Sequence, residues 1–422
     1  MLLIPRFLPL SATLTPGMST VLAQSVEILT TVLTVAGMGY FLAAIVAARV
    51  FLAARRAPLA AFFPGVSILK SLKGLDPGMI DAFRSHCRQT YDGDVELLFG
   101  ISSLTDPAVS AVEQLKQEFP AHSIQLIRCP TLLGTNGKVS TLVQLATHAR
   151  HNFLLINDSD ITVSPRYLER IMAQFAPPLG ESTHSRRPGD APKEVGLVTA
   201  LYRGRAHRTL PSRLEALGIA TDFQAGVLLS KMIEGGLHYG LGSTLAIRHD
   251  ALDKIGGLLP LVDYLADDYE LGVRVDKAGY RVALSAEVVE TAIPAYSWRG
   301  FIDHQLRWAR TVRDARPGGY AGLIFTHGLA WAVLNVLASG LSPLSLWLLG
   351  LSFFLRLGLA MTVGAEVLRD HQVLPNLWLL PLRDLIAMGI WVAGFAGNTI
   401  VWRGQCFLLK GGKLEPILKE GA

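Results

Sequence analysis

Charge is scarce in this chain. Of its 422 residues, 17% are Asp, Glu, Lys or Arg while half are hydrophobic, and the mean hydropathy is positive. An ordinary globular domain carries about 25% charge, so a wholly water-exposed protein is excluded and part of the chain belongs in lipid. Cysteine is scarcer still. Cys87, Cys129 and Cys406 are odd in number, scattered and without CxxC spacing, which excludes a disulfide framework, a zinc ribbon and a thiol redox pair. Reduced thiols in a cytosolic compartment are expected. Long basic runs are missing too. The formal net charge is +5, with arginines gathered beside apolar segments, a pattern suited to an anionic membrane surface and not to nucleic acid.

The apolar residues fall into blocks. After an N-terminal segment, 1–25, the stretch 26–48 is nearly uncharged and long enough to cross a bilayer, which takes about 20 residues. It reads as a transmembrane anchor, and Arg49, Arg55 and Arg56 directly after it place the next segment in the cytoplasm. Residues 64–297 have soluble composition and form the candidate catalytic domain; 298–317 reads as an amphipathic basic helix. Apolar character returns over 321–402, with spans expected at Ala321–Ser339, Leu344–Gly364 and Ile386–Trp402. Three such spans put the tail, 403–422, outside, whereas Arg403, Lys410, Lys413 and Lys419 favour the inside. A re-entrant or interfacial segment near Leu374 to Leu382 is one way to reconcile the two.

Within the soluble part, short apolar runs at 66–69, 95–100, 124–127, 153–157 and 195–201 alternate with helical patterns. That alternation predicts an α/β fold whose mostly parallel sheet is covered on both faces. Asp76-Pro77 and Ser164-Pro165 read as N-caps of the helices after them. Residues 177–193, rich in Pro, Gly, Ser and charge, read as a surface loop. In sheets of this kind ligands sit beyond the carboxyl ends of the strands.

Candidate chemistry collects at such positions. The run FLLIN leads into Asp158-Ser159-Asp160, two carboxylates suited to Mg²⁺ or Mn²⁺ bridged to a substrate phosphate; a surface turn or helix cap accounts for the pair equally well. Asp267 and Asp268 stand before a helix. Asp267 reads as an N-cap, while Asp268 is a candidate general base. The turn Gly134-Thr135-Asn136-Gly137-Lys138 either offers N–H groups and a lysine to phosphate or is a glycine turn with a solvated lysine. Lys70 and Lys73, beside the first strand, allow the same two readings. The basic helix accounts for Arg299, Arg310, Arg313 and Arg316, but not for the pairing of Arg307 with Trp308.

In order and spacing these pieces resemble the ceramide glucosyltransferase family of inverting GT-A glycosyltransferases, with its D, D, D, (Q/R)xxRW signature. ILKSLKGLDP at 68–77 is similar to the family's first strand and loop, TDPAV places the first aspartate at Asp106, NDSDI the second at Asp158 and ADDY the third at Asp268. In His304-Gln305-Leu306-Arg307-Trp308 a histidine stands where the family has Gln or Arg. The tail, WRGQCFLLKGG at 402–412, is also similar.

The resemblance implies a GT-A catalytic domain with an N-terminal anchor and C-terminal transmembrane helices, taking a hexose or N-acetylhexosamine from a UDP-sugar donor to a lipid hydroxyl with inversion. It implies Asp268, Arg307 and Trp308 as catalytic, and Lys73, Asp106, Lys138, Asp158, Gly242 and Ser243 on the donor. A divalent cation, Mg²⁺ or Mn²⁺, would sit on Asp158 and Asp160. GTNGKVS, GLVTALYRG and HQLRWARTVR are most similar to the bacterial branch associated with hopanoid biosynthesis, which implies N-acetylglucosamine transfer to bacteriohopanetetrol in a bacterial inner membrane, with the catalytic domain cytoplasmic. Transfer of glucose to ceramide is the alternative. A processive polysaccharide synthase and a non-catalytic UDP-sugar-binding membrane protein are two more. Oligomeric state leaves no trace in the sequence.

Overall fold

The computed structural model describes residues 16–56, 58–177, 193–402 and 405–417, with side chains from Val21 onward. Most of the loop expected at 177–193 therefore lies outside the described residues. The anchor is longer than 26–48: helix α1 runs Pro16–Ala54, and its apolar span is Val21–Ala54. Charge does not end it at Arg49, because Arg49 pairs with Glu366 at 2.5 Å and Arg55 donates to the carbonyl of Val367 at 2.9 Å.

The catalytic domain is built on a seven-stranded sheet. Its strands are β1 Val66–Ser71, β2 Val95–Ile101, β3 Ser123–Arg128, β4 Phe153–Ile156, β5 Val195–Arg205, β6 Leu245–Arg248 and β7 Arg281–Ala292, in the order β3-β2-β1-β4-β6-β5-β7. All pairs are parallel except those of β6, which runs against both β4 and β5. Adjacent residues serve opposite faces, as the pleat requires. Ile68 and Leu97 pack with Phe83 and Leu168, while Leu69 and Leu98 pack with Leu142 and Leu145. The covering helices are α2 Met79–Cys87, α3 Ala108–Glu118, α4 Gly137–Ala146, α5 Tyr167–Met172, α6 Leu210–Gly218, α7 Gln224–Ile233, α8 His249–Lys254 and α9 Asp267–Lys277.

Neither expected Xaa-Pro cap holds. Helix α2 begins after Gly78, which takes φ 73°, and the carboxylate of Asp76 accepts from Ser159 instead. Helix α5 begins after Arg166, with Ser164 contributing its backbone carbonyl.

The C-terminal third starts with α10 Trp298–Ala315, capped by Ser297 Oγ accepting from Gly300 N. Next come α11 Pro317–Gly322 and α12 Gly328–Ala338, which form a bent pair at 57° and not one straight span. Helix α12 crosses α1 so closely that a Cβ on Gly37 would fall 2.2 Å from Gly328 Cα. Helix α13, Pro343–Ala360, continues through a π-turn to Val367. The last span is not Ile386–Trp402. It runs Leu374–Gly394, a 3-10 turn entering α14 Leu380–Gly394, and residues 399–402 are a strand.

Contacts settle how these helices run. Asn335, near the end of α12, accepts from Thr30 and Thr31 in the N-terminal half of α1, so α12 leads away from the catalytic domain. Helix α13 leads back, since the carbonyls of Leu368 and Arg369 accept from Arg203 on β5. Helix α14 lies along α10: Arg383 donates to Gln305 at 3.3 Å and, further on, the carbonyl of Gly394 accepts from Arg313 at 2.5 Å. The tail then folds as an antiparallel sheet of β8 Thr399–Trp402, β9 Gln405–Lys410 and β10 Lys413–Pro416. It rests against the catalytic domain.

Candidate active site

Because β1, β2 and β4 are parallel, their carboxyl ends share one edge, and polar residues converge there. Asn157, buried at the end of β4, donates to the Ser243 carbonyl at 2.7 Å and to Tyr167 Oη at 3.0 Å, fixing the Asp158 turn against the start of β6. Lys70, also buried, donates to the Asp158 carbonyl at 3.0 Å. Burial pulls its ammonium down to about 7, against the attraction of Asp160 and Asp158. Asp160 turns to Thr291 Oγ1, and burial, reinforced by Asp158, pushes its carboxyl up to about 6.

The glycine turn has an unexpected task. Thr135 N and Oγ1 both donate to Asp263 Oδ1, Asn136 N to the Val262 carbonyl, and Asn136 Nδ2 to the Tyr264 carbonyl. The amides of Thr135 and Asn136 are therefore taken, while Gly137 and Lys138 open helix α4. Gly134 is required because a Cβ there would fall 2.6 Å from Val262. What the turn does present is Lys138, whose Nζ lies 2.8 Å from Asp158 Oδ1 and 3.5 Å from Asp267 Oδ2. Burial opposes its charge, but the carboxylates outweigh burial and hold it above the usual lysine range.

Asp267 is not the N-cap. It is the first residue of α9, after Ala266, and its carboxylate belongs to Lys138. Asp268 Oδ2 accepts from Gly242 N at 2.7 Å and Oδ1 from Tyr269 N at 2.8 Å. Burial first, then Asp267, pushes this carboxyl up to about 6. A half-buried carboxylate raised toward neutrality is what a general base needs.

Asp106 lies one loop away, where its carboxylate accepts from Gly74 N at 2.9 and 3.0 Å and from Ala108 N at 2.9 Å. It pins the loop after β1, in which Gly74 takes φ 73° and Lys73 is exposed. Ser243 is buried with its hydroxyl turned to the Ala200 carbonyl at 3.4 Å, so of the pair Gly242 alone touches the acidic cluster. Lys73 and Asp106 are thus on a neighbouring loop, apart from the cluster of Asp158, Lys138, Asp267, Asp268 and Gly242.

For a metal, no group of three or more His, Cys, Asp or Glu side chains converges among the described residues. Mg²⁺ and Mn²⁺ often take only one or two carboxylates and fill their shell with substrate phosphate and water. Asp158, with its side chain 45% exposed, fits that use. Asp160 accepts from Thr291 Oγ1 through one carboxylate oxygen, Oδ2.

On the other side lies an aromatic wall that the sequence did not announce. Trp308 packs on Phe223 at 5.6 Å and His304 at 5.5 Å, His304 on Tyr296 at 5.3 Å, and Phe223 on Tyr202 at 5.7 Å. Phe223 closes a π-turn, Ile219–Phe223, a device that often marks functional positions. Tyr296 senses both Arg307 and Asp160; burial, then Glu215, pushes its phenol up to about 12 against Arg307. Beneath the wall, buried Glu215 meets His304 Nδ1 at 3.3 Å and Gln305 Nε2 at 2.7 Å. The hydrogen bond to Glu215 comes from Gln305, while His304 Nδ1 faces the carboxylate without making one. The signal for Phe223 and Glu215 was weak, since each sits inside an ordinary helical pattern.

Known proteins agree with this architecture. Ceramide glucosyltransferase 3 of Caenorhabditis elegans is 25% identical over 370 residues, covering 84% of this chain and 74% of that one. Ceramide glucosyltransferase of Candida albicans is 25% identical over 147 residues, 32% of this chain and 26% of the relative. Among solved structures, the mannosyltransferase PcManGT from Pyrobaculum calidifontis, in complex with GDP-Man and Mn²⁺, superposes with a TM-score of 0.52 at 18% identity, covering 88% of this chain and 97% of that one. That likeness shows the GT-A-like fold. Residues 29–414 match glycosyl transferase family 21, and with nearly the whole described fold inside that match, the chain belongs to this family.

Proposed function

We propose that this protein transfers glucose from UDP-glucose to the hydroxyl of a ceramide-type lipid at the cytoplasmic surface of a membrane, with inversion. One observation carries the reading: Lys138 joins the donor-side Asp158 to Asp267, next to Asp268, whose carboxylate is held by Gly242 N–H. Donor-handling and proton-accepting groups thus meet in one cluster. The relatives in worm and Candida favour ceramide over bacteriohopanetetrol and glucose over N-acetylglucosamine, the pair to which sequence similarity first pointed.

In this mechanism Asp268 takes the proton of the lipid hydroxyl as it attacks the anomeric carbon from the face opposite the leaving UDP, giving a β-glycoside from an α-linked donor. Lys138 exchanges its carboxylate contacts for the diphosphate and offsets developing charge. Asp106 and Lys73 shape the loop on the nucleotide side. Arg307 and Trp308, on α10, hold the acceptor and leaving group where helix and lipid meet. A divalent cation, Mg²⁺ or Mn²⁺, would be held by Asp158 together with donor phosphate oxygens, and would neutralise the departing diphosphate.

The experiment is to incubate purified protein with UDP-glucose and with UDP-N-acetylglucosamine, each against ceramide and bacteriohopanetetrol. Mass and anomeric configuration of the glycolipid are then read. Glucosylceramide of β configuration is expected. A product only from the other donor and acceptor moves the assignment to hopanoid, an α product ends the inversion, and long polymer indicates a processive synthase.

A further inference from the structure

The tail sheet touches two parts of the site at once. Toward the base, Leu265 N donates to the Gly412 carbonyl at 3.1 Å and Leu414 N to the Asp263 carbonyl at 2.8 Å, so β10 extends the loop that ends at Asp267 and Asp268. A bridge between Tyr264 and Lys413 completes the ladder. Leu265 is buried in a small core of its own with Ile400, Phe407, Leu409 and Leu414. Toward the lipid side, Gly412 N donates to Asp314 on α10, Arg310 donates to the Thr399 carbonyl at 2.5 Å, and Arg313 reaches the Gly397 carbonyl at 3.0 Å.

These contacts have a mechanical reading. Loop 262–266 is irregular and would be free on one side, since Thr135 and Asn136 hold only the other. Strand addition supplies the missing backbone partners, a way of ordering an edge at little entropic cost once the added strand is itself folded. The same added strand is tied through Gly412 to α10, six residues beyond Trp308. We propose that the C-terminal sheet of β8, β9 and β10 is a positioning element that fixes the Asp268 loop relative to Arg307 and Trp308, so that base and acceptor-holding helix keep one geometry. The idea rests on the proposed role of Asp268.

The test uses the full chain with Leu414→Asp, which puts a charge into the small core, and Asp314→Ala, a milder change that only releases Gly412. Three quantities are read: hydrogen exchange of amides 262–268, the dissociation constant of UDP, and kcat for transfer. Faster exchange in the loop, kcat lowered about tenfold or more and UDP affinity held within about threefold are expected, with Leu414→Ile restoring all three. Unchanged exchange overturns the inference, as does UDP affinity falling in step with kcat, which marks general loss of fold. If Leu414→Asp does not fold, Asp314→Ala decides by the same criteria. Exchange and UDP binding need no lipid acceptor, so failure to find a glycolipid product would count against the proposed function and leave this inference to be judged on the loop.

Discussion

Lys138 pairs with Asp158 at 2.8 Å while its other side faces Asp267 at 3.5 Å, making one ammonium the common neighbour of donor-side and base-side carboxylates. Lys138→Met leaves Asp158, Asp267 and Asp268 repelling one another. The loss should be about 1–3 kcal/mol of stability, less than for a fully buried pair because Asp158 is nearly half-exposed. Thermal melting should show the drop, and a donor titration should show KM for the UDP-sugar rising about tenfold. Unchanged melting and KM would remove Lys138 from the site.

The raised carboxyl of Asp268 gives the reaction a pH signature. The base works only when ionised, so kcat/KM should fall as pH drops through about 6 and level off above it. Asp268→Asn should lower kcat by about 10²–10⁴ while UDP still binds by calorimetry. Retained turnover would sink the base assignment. Asp160 is raised to the same region, so the acid limb must persist in Asp160→Asn if it belongs to Asp268.

Gly242 tests the hold on that carboxylate. A Cβ there would lie 3.0 Å from Asp268 Oδ2, tight enough to push the oxygen off the Gly242 amide. Gly242→Ala should cost about tenfold in kcat, the equivalent of about 1.4 kcal/mol, with UDP affinity little changed. A loss confined to donor KM would show that Gly242 serves the sugar instead.

Metal dependence is the next measurement. Chelation with EDTA should stop transfer and Mn²⁺ or Mg²⁺ should restore it, with Asp158→Asn raising the metal concentration needed. Full activity in chelator would leave Lys138 as the cation at the diphosphate.

How much of this the sequence disclosed depends on how local each signal is. The first five strands are continuous apolar runs, and periodicity finds them. Strand β6, Leu245–Arg248, is no shorter than β4 but went unread, and its reversed direction depends on tertiary pairing. The signature residues were legible because order and spacing survive in one dimension. Their contacts were not: Thr135 and Asn136 meet Asp263 and Tyr264 across more than a hundred residues, and no local rule distinguishes an amide free for phosphate from one already bonded. The same limit hid Phe223 and Glu215. Residues 399–416 read as part of a span and a basic tail because a hairpin of Leu and Val beside glycines scores as apolar before it scores as strand.

Arg356 is a buried charge in the otherwise apolar helix α13, and its surroundings bear on biogenesis. Its guanidinium meets Asp222, from the catalytic domain, and Asp384, from α14, the latter with Nε at 2.8 Å from Oδ2. An arginine placed alone at the centre of an inserting helix costs about 2.5–3.5 kcal/mol. Asp222 has already left the ribosome when α13 emerges, whereas Asp384 follows Arg356 by 28 residues and emerges later. Helix α13 therefore completes its ion pairs only once Asp384 has followed it out. A chain shortened before that point would keep Asp222 but lack the second carboxylate that meets Arg356 here.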